Sequence, residues 1–192
     1  MKNTFFLTSI LITFIGFFSA CISPTLTPAP TLPPSQTPPT TWLFTHPQQL
    51  YSLHFPIGWQ QQVVVRDQGY YEVSFTSPAY RVSEGYPVLE SGAEFLVIVK
   101  PLPAGMTCVE EYIVGNPLLN ELAQNRTTLQ VAGQPALQFD YSYEGVNALI
   151  TFFIAQGNIF QVRYRYLDLA TRPEFIQEYQ ELLASFSVND LP

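Results

Sequence analysis

Residues 147–166 read NALITFFIAQGNIFQVRYRY, and this stretch decides the fold. Asn147 to Gln156 is largely apolar, and Gly157-Asn158 is a two-residue hairpin signal. Beyond it, Phe160, Val162, Tyr164 and Tyr166 face one way, while Gln161, Arg163 and Arg165 face the other. Two strands joined by a tight turn, one of them apolar along a single face, need a sheet with a covered side.

Working outward, the cover comes from the C-terminal side. Phe175, Ile176, Tyr179, Leu182, Leu183 and Phe186 recur at helical spacing, and Thr171 with Glu174 reads as a capping box. A stripe that wide packs on something broad. Towards the N-terminus, Pro135 to Tyr143 sets Leu137, Phe139, Tyr141 and Tyr143 against Gln138, Asp140 and Ser142. It is reached from a strand at Thr127 to Val131 through Ala132-Gly133-Gln134. Thr107 to Asn125 predicts a helix broken at Gly115-Asn116-Pro117, with Val109, Tyr112 and Ile113 in one stripe and Leu118, Leu119, Leu122 and Ala123 in the next. Phe95 to Val99 is apolar on both faces, as a central covered strand is. Earlier strands are expected at Tyr51 to Phe55, Gln61 to Arg66 and Tyr70 to Thr76. Pro56-Ile57-Gly58 is read as a type I turn, and Trp59 as a plug at the core edge. Ser77 to Gly92 reads as a sixteen-residue loop carrying Tyr80, Arg81, Glu84 and Tyr86. The order strands, helix, strands, helix, with hairpin links, predicts an α+β fold: a mainly antiparallel central sheet covered by helices.

The first part of the 192-residue chain has another character. Lys2 precedes an apolar run, Phe5 to Phe18, which is short for a membrane span, and small residues Ser19 and Ala20 follow. Residues 1–20 are therefore expected to be an export signal. Phe18-Ser19-Ala20-Cys21 resembles a bacterial lipobox, which implies a diacylglyceryl group on Cys21 and a lipid anchor at the extracytoplasmic face of the cell membrane. Ile22 to Thr41 holds seven Pro, six Thr and no charge. Residues 21–41 thus read as the anchor and an extended stalk, and 42–192 as one globular domain. From Arg66 onward fifteen acidic residues stand against seven basic ones, about −8, which disfavours nucleic acid as a partner.

Three pieces of the domain occur together in one family. Tyr51 to Trp59 reads YSLHFPIGW, Val131 to Ala136 reads VAGQPA, and the C-terminal helix closes at Ala184-Ser185-Phe186. In order and spacing these resemble the PsbP-like domain, the fold of the extrinsic photosystem II protein and of related bacterial lipoproteins. The resemblance implies an α/β/α sandwich and a non-catalytic role exercised through protein contacts. It carries over no functional residues: Pro56, Gly58, Trp59, Gly133 and Pro135 look like turn and core determinants. A Pro/Thr stalk replaces the docking segment of the photosynthetic members, so a photosynthetic role is not implied.

Residues with chemical potential are few. Cys108 lies near a predicted helix start and is expected to be a small, partly buried side chain rather than a nucleophile. His46 and His54 lack the companions a metal site needs, and no cofactor is expected. Glu174, Glu178 and Glu181 share a helix face, read as solvated. Arg163 and Arg165 are expected to pair with carboxylates such as Asp140, with a ligand anion as the sharper alternative. Asn125-Arg126-Thr127 matches a glycosylation pattern too common to use. Tyr80, Arg81 and Tyr86 are the best candidates for an exposed contact patch, because Tyr and Arg combine area with polar reach. The leading expectation is a tethered, non-enzymatic interaction module with an unidentified protein partner. A small-molecule binder with an aromatic-lined cleft is the alternative, and a hydrolase using Cys108 or His54 the remoter one.

Overall fold

Twelve strands and three short helices make up the described part of the chain. The computed structural model describes residues 40–65, 70–84, 88–143, 145–167 and 172–189. Residues 1–20, Cys21 and nearly all of the expected stalk lie outside them, as do Tyr86 and Thr171. No helix among the described residues is long and apolar enough to cross a membrane. A compact unit runs from Pro38 onward.

The strands are β1 (Thr41–Thr45), β2 (Tyr51–Pro56), β3 (Gln60–Val65), β4 (Tyr71–Thr76), β5 (Arg81–Val82), β6 (Leu89–Ser91) and β7 (Glu94–Pro101). Helices α1 (Val109–Val114) and α2 (Pro117–Leu122) follow, then β8 (Gln124–Val131), β9 (Gln134–Tyr143), β10 (Val146–Ala155), β11 (Asn158–Tyr166), α3 (Arg172–Ala184) and β12 (Ser187–Val188). Seven strands form the main sheet in the order β3-β4-β7-β11-β10-β9-β8, every pair antiparallel. A smaller sheet has the order β1-β2-β12, and β5 pairs with β6 alone.

Strand alternation divides the core into two clusters on opposite faces of the main sheet. On one face Phe75, Phe95, Val97, Phe153, Phe160, Val162 and Tyr164 meet Tyr179, Leu182 and Leu183 of α3 and Tyr51, Leu53 and Phe55 of β2. Aromatic contacts join the layers: Phe186, stacked on Tyr51 at 4.9 Å, meets Phe153 of the main sheet edge-on at 5.4 Å, and Tyr51 meets Phe160 at 6.1 Å. A buried polar chain ties α3 to the sheet. The Tyr179 hydroxyl lies 2.7 Å from Thr151 Oγ1 and 3.0 Å from the Val162 carbonyl, and Gln138 Nε2 donates to Thr151 at 3.1 Å. On the other face Leu137, Phe139, Ala148, Ile150, Phe152 and Ile159 meet Ile113 of α1.

The expected cover of helices is therefore only part of the arrangement. The three-stranded sheet shares one face with α3, and two six-residue helices serve the other. The helix break falls at Gly115-Asn116-Pro117, where the Asn116 side chain caps Leu119 N at 3.1 Å and Pro117 begins α2. The helix ends before Asn125, because β8 begins at Gln124, and Leu118 is exposed.

Three turn readings change. Pro56 stands first in its turn, not second: Trp59 N donates to its carbonyl, and Gly58 at φ +89° takes the third position, as in a type II turn. In the β10–β11 hairpin Ala155 pairs with Asn158, so the turn residues are Gln156 and Gly157, both at positive φ. The expected loop at 77–92 contains the β5–β6 hairpin.

Candidate functional site

Glu94 opens β7, and its partner across the sheet is Arg165 of β11. Both side chains fall on the face that carries α1, because Phe95 and Tyr164 beside them point to the α3 face. Arg165 Nη1 donates to Glu94 Oε2 at 3.0 Å, and both side chains are buried. Arg163, two residues earlier on the same face, reaches Glu94 Oε2 at 3.6 Å. The carboxylate expected to pair with these arginines was Asp140. It lies on the opposite face, paired across the sheet with Leu149, and accepts from Asn125 Nδ2 at 2.7 Å. Glu94 was missed because the pairing depends on the β7–β11 register, which links residues 71 positions apart.

The β5–β6 hairpin follows directly on Tyr80, whose hydroxyl bonds Arg165 of this cluster. Its base is fastened by Ser77: the Ser77 hydroxyl accepts from Ala93 N at 2.9 Å, and its N–H donates to the Ala93 carbonyl at 3.1 Å. Ser91 Oγ donates to the Ala79 carbonyl, and Tyr80 N to the Ser77 carbonyl. Gly92, at φ +75°, leaves no room for a side chain: a Cβ there would come within 2.6 Å of Tyr80 N. Tyr80 is half-buried. Burial and the Glu94 carboxylate raise its pKa, against a hydrogen bond with Arg165 and the charge of Arg163, so the phenol is neutral. Arg81 is exposed, its Nη1 donating to the Tyr80 carbonyl at 2.6 Å, and Val82 beside it is 40% exposed. Of the expected contact patch, the structure places Tyr80 over buried charge and Arg81 in solvent.

A second feature lies where α1 meets the sheet. A half-open cleft of about 410 Å³ is lined by Cys108, Val109, Pro135, Ala136, Leu137 and Ile154, with Thr107, Glu110, Thr128 and Gln134 contributing polar atoms. Its lining is aliphatic, not aromatic. Cys108 is exposed rather than partly buried, because it is the extended N-cap residue of α1 and not a member of the helix face. Glu111 holds that cap: one carboxylate oxygen accepts from Thr107 N at 2.6 Å and Cys108 N at 3.3 Å, which lowers its pKa.

A third brings together residues that the sequence analysis treated apart. A cleft of about 240 Å³ between β2 and α3 is lined by Thr41, His54, Glu178, Glu181, Leu182 and Ser185. Glu178 is not simply solvated, since it accepts a short hydrogen bond from the buried Tyr164 hydroxyl. Among the described residues no cluster of three His, Cys, Asp or Glu side chains suits a metal ion. His46 is 1% exposed, packed between the rings of Tyr51 and Tyr71, and burial lowers its pKa.

No family model matches the sequence, and no curated protein matches it. Solved structures do. The cyanobacterial PsbP protein (CyanoP) of Synechocystis sp. PCC 6803 superposes with a TM-score of 0.53 at 11% identity, covering 81% of this chain and 96% of that one. A Pseudomonas aeruginosa protein of unknown function aligns at TM-score 0.48 and 16% identity, over 80% of this chain and 99% of its own. The Saccharomyces cerevisiae Ran-binding protein Mog1p aligns at 0.47 and 10%, over 78% and 96%.

Proposed function

We propose, from the premise of a PsbP-like fold, that this chain is a non-catalytic interaction module. It is held at the extracytoplasmic face of the cell membrane by a lipid on Cys21. The α/β/α sandwich serves as a rigid support for a contact face that includes Tyr80 and Arg81, with Tyr86, outside the described residues, as the third residue the sequence assigns to it. The observation that carries this reading is the fastening of the hairpin through Ser77, Ser91 and Gly92, which presents Arg81 and Val82 to solvent on a fixed base. A rigid loop loses little entropy on docking, and an Arg beside apolar surface is a common anchor.

The test is capture from detergent-solubilised native envelope. Because Tyr80 also covers buried charge, Arg81→Ala with Tyr86→Ala is the clean pair. Loss of a reproducible partner with unchanged Tm is expected, and equal recovery would sink the assignment. Replacing Cys21 with Ser should release the chain from the membrane fraction, and retention would refute the anchor.

A second reading has its own observation. The 410 Å³ cleft beside Cys108 falls in the size range of small-molecule sites, and its aliphatic walls suit an apolar ligand. Protection of Cys108 from maleimide by such a ligand would favour it.

A further inference from the structure

The Arg163 side chain is 28% exposed, yet it makes no hydrogen bond to any described residue. Its Nε is buried without a partner. Its cross-strand neighbours on β7 and β10 are Leu96 and Ile150, both buried and apolar. Its one ion pair among the described residues, at 3.6 Å, is to an oxygen of Glu94 that already accepts from Arg165 at 3.0 Å. A guanidinium carries donors in a planar fork, and buried donors are almost always satisfied by protein, water or a ligand. Beside it stands Tyr80, a neutral phenol within reach of the same charges. We infer that Arg163 and Tyr80 form a subsite for a carboxylate group that binds the guanidinium of Arg163 beside the Tyr80 phenol.

The charge of the ligand follows from Glu94. A monoanion neutralises the guanidinium that Glu94 only partly serves. A phosphate dianion would bring surplus negative charge close to the Glu94 carboxylate. The inference deepens the interaction reading, because an acidic side chain or a chain terminus of a protein partner supplies such a group. A free carboxylic acid has the same chemistry.

The full chain is titrated at constant ionic strength, replacing chloride by acetate, by a blocked tripeptide with one glutamate, or by inorganic phosphate, and Tm is followed. For the wild type a carboxylate gives a saturating rise of about 5–10 °C at a hundredfold excess over Kd, and phosphate gives less. Arg163→Gln loses the response and, without carboxylate, melts no lower than the wild type. Arg163→Lys, which keeps the charge and loses the fork, retains a weaker response and serves if the glutamine variant does not fold. A response to the peptide and not to acetate assigns the site to a protein partner; one to acetate and not to the peptide assigns it to a free acid. An equal rise in wild type and both variants, no rise in the wild type, or an equal Tm loss for Arg163→Gln in every salt overturns the inference. The titration involves neither Arg81 nor a captured partner, so its failure and that of the contact face are told apart.

Discussion

Replacing Glu94 with Gln tests whether the buried cluster on the β7–β11 pair is held by charge. The substitution keeps size and removes the negative charge that Arg165 meets at 3.0 Å and Arg163 at 3.6 Å. Arg165 dominates, since its side chain is 7% exposed against 28% for Arg163, whose share water screens. Leaving a buried cation without its counter-charge costs about 3–5 kcal/mol. In a folded unit of this length that lowers Tm by roughly 6–20 °C. Urea denaturation followed by far-ultraviolet circular dichroism measures the loss, and the double variant with Arg163→Gln should recover about 1 kcal/mol by removing one of the two like charges. If Glu94→Gln costs less than about 1 kcal/mol, the pairing is not what holds this end of the sheet.

Further outcomes follow from other parts of the fold. Tyr179→Phe removes a hydroxyl that contacts Thr151 and the Val162 carbonyl, and should cost about 1–3 kcal/mol in the same denaturation assay, with coupling to Thr151→Val in a double-mutant cycle. Burial lowers the pKa of His46, so the unfolded chain takes up that proton first as pH falls below 6.5. Stability is full above pH 6.5 and declines below it by at most about 1.4 kcal/mol per pH unit for this one proton, until the lowered folded pKa is reached; Tm measured against pH should lose that step in His46→Gln. Gly92→Ala forces a Cβ against the backbone of Ala79 and Tyr80, and should raise amide exchange at Tyr80 and lower Tm while leaving the β8–β11 ladder protected.

What the sequence disclosed was local. Alternation at Tyr51, Leu53 and Phe55 and at Phe160, Val162 and Tyr164 names the buried face, because adjacent side chains of a strand point to opposite sides. Gly115-Asn116-Pro117 marks the helix break through backbone chemistry alone. Strand β1 was hidden because Thr41–Thr45 buries only Phe44 and follows directly on a Pro/Thr run. The Gln156-Gly157 turn was misplaced by one residue because a glutamine at φ +51° has no signature in sequence. The Glu94 cluster was out of reach for another reason: which carboxylate meets Arg165 is decided by register between strands distant along the chain. Nor does spacing disclose that His54 and Glu178 share a cleft, since their approach depends on where α3 lies against β2.

The pairing of β2 with β12 has a consequence for the order in which the fold is completed. Strands β8 to β11 are neighbours in both chain and sheet, so they zip through tight turns, as quickly as hairpins close. The face beneath α3 is different. It is sealed only when Ser187 meets Ser52 and Val188 meets Tyr51, a closure spanning nearly the whole unit. A chain delivered from its N-terminus thus has a sheet before it has a lid. Until its last twenty or so residues arrive, Phe95 lacks the cover of Tyr179, and Phe153 and Phe160 lack that of Phe186, so the unfinished molecule is stickier than the finished one.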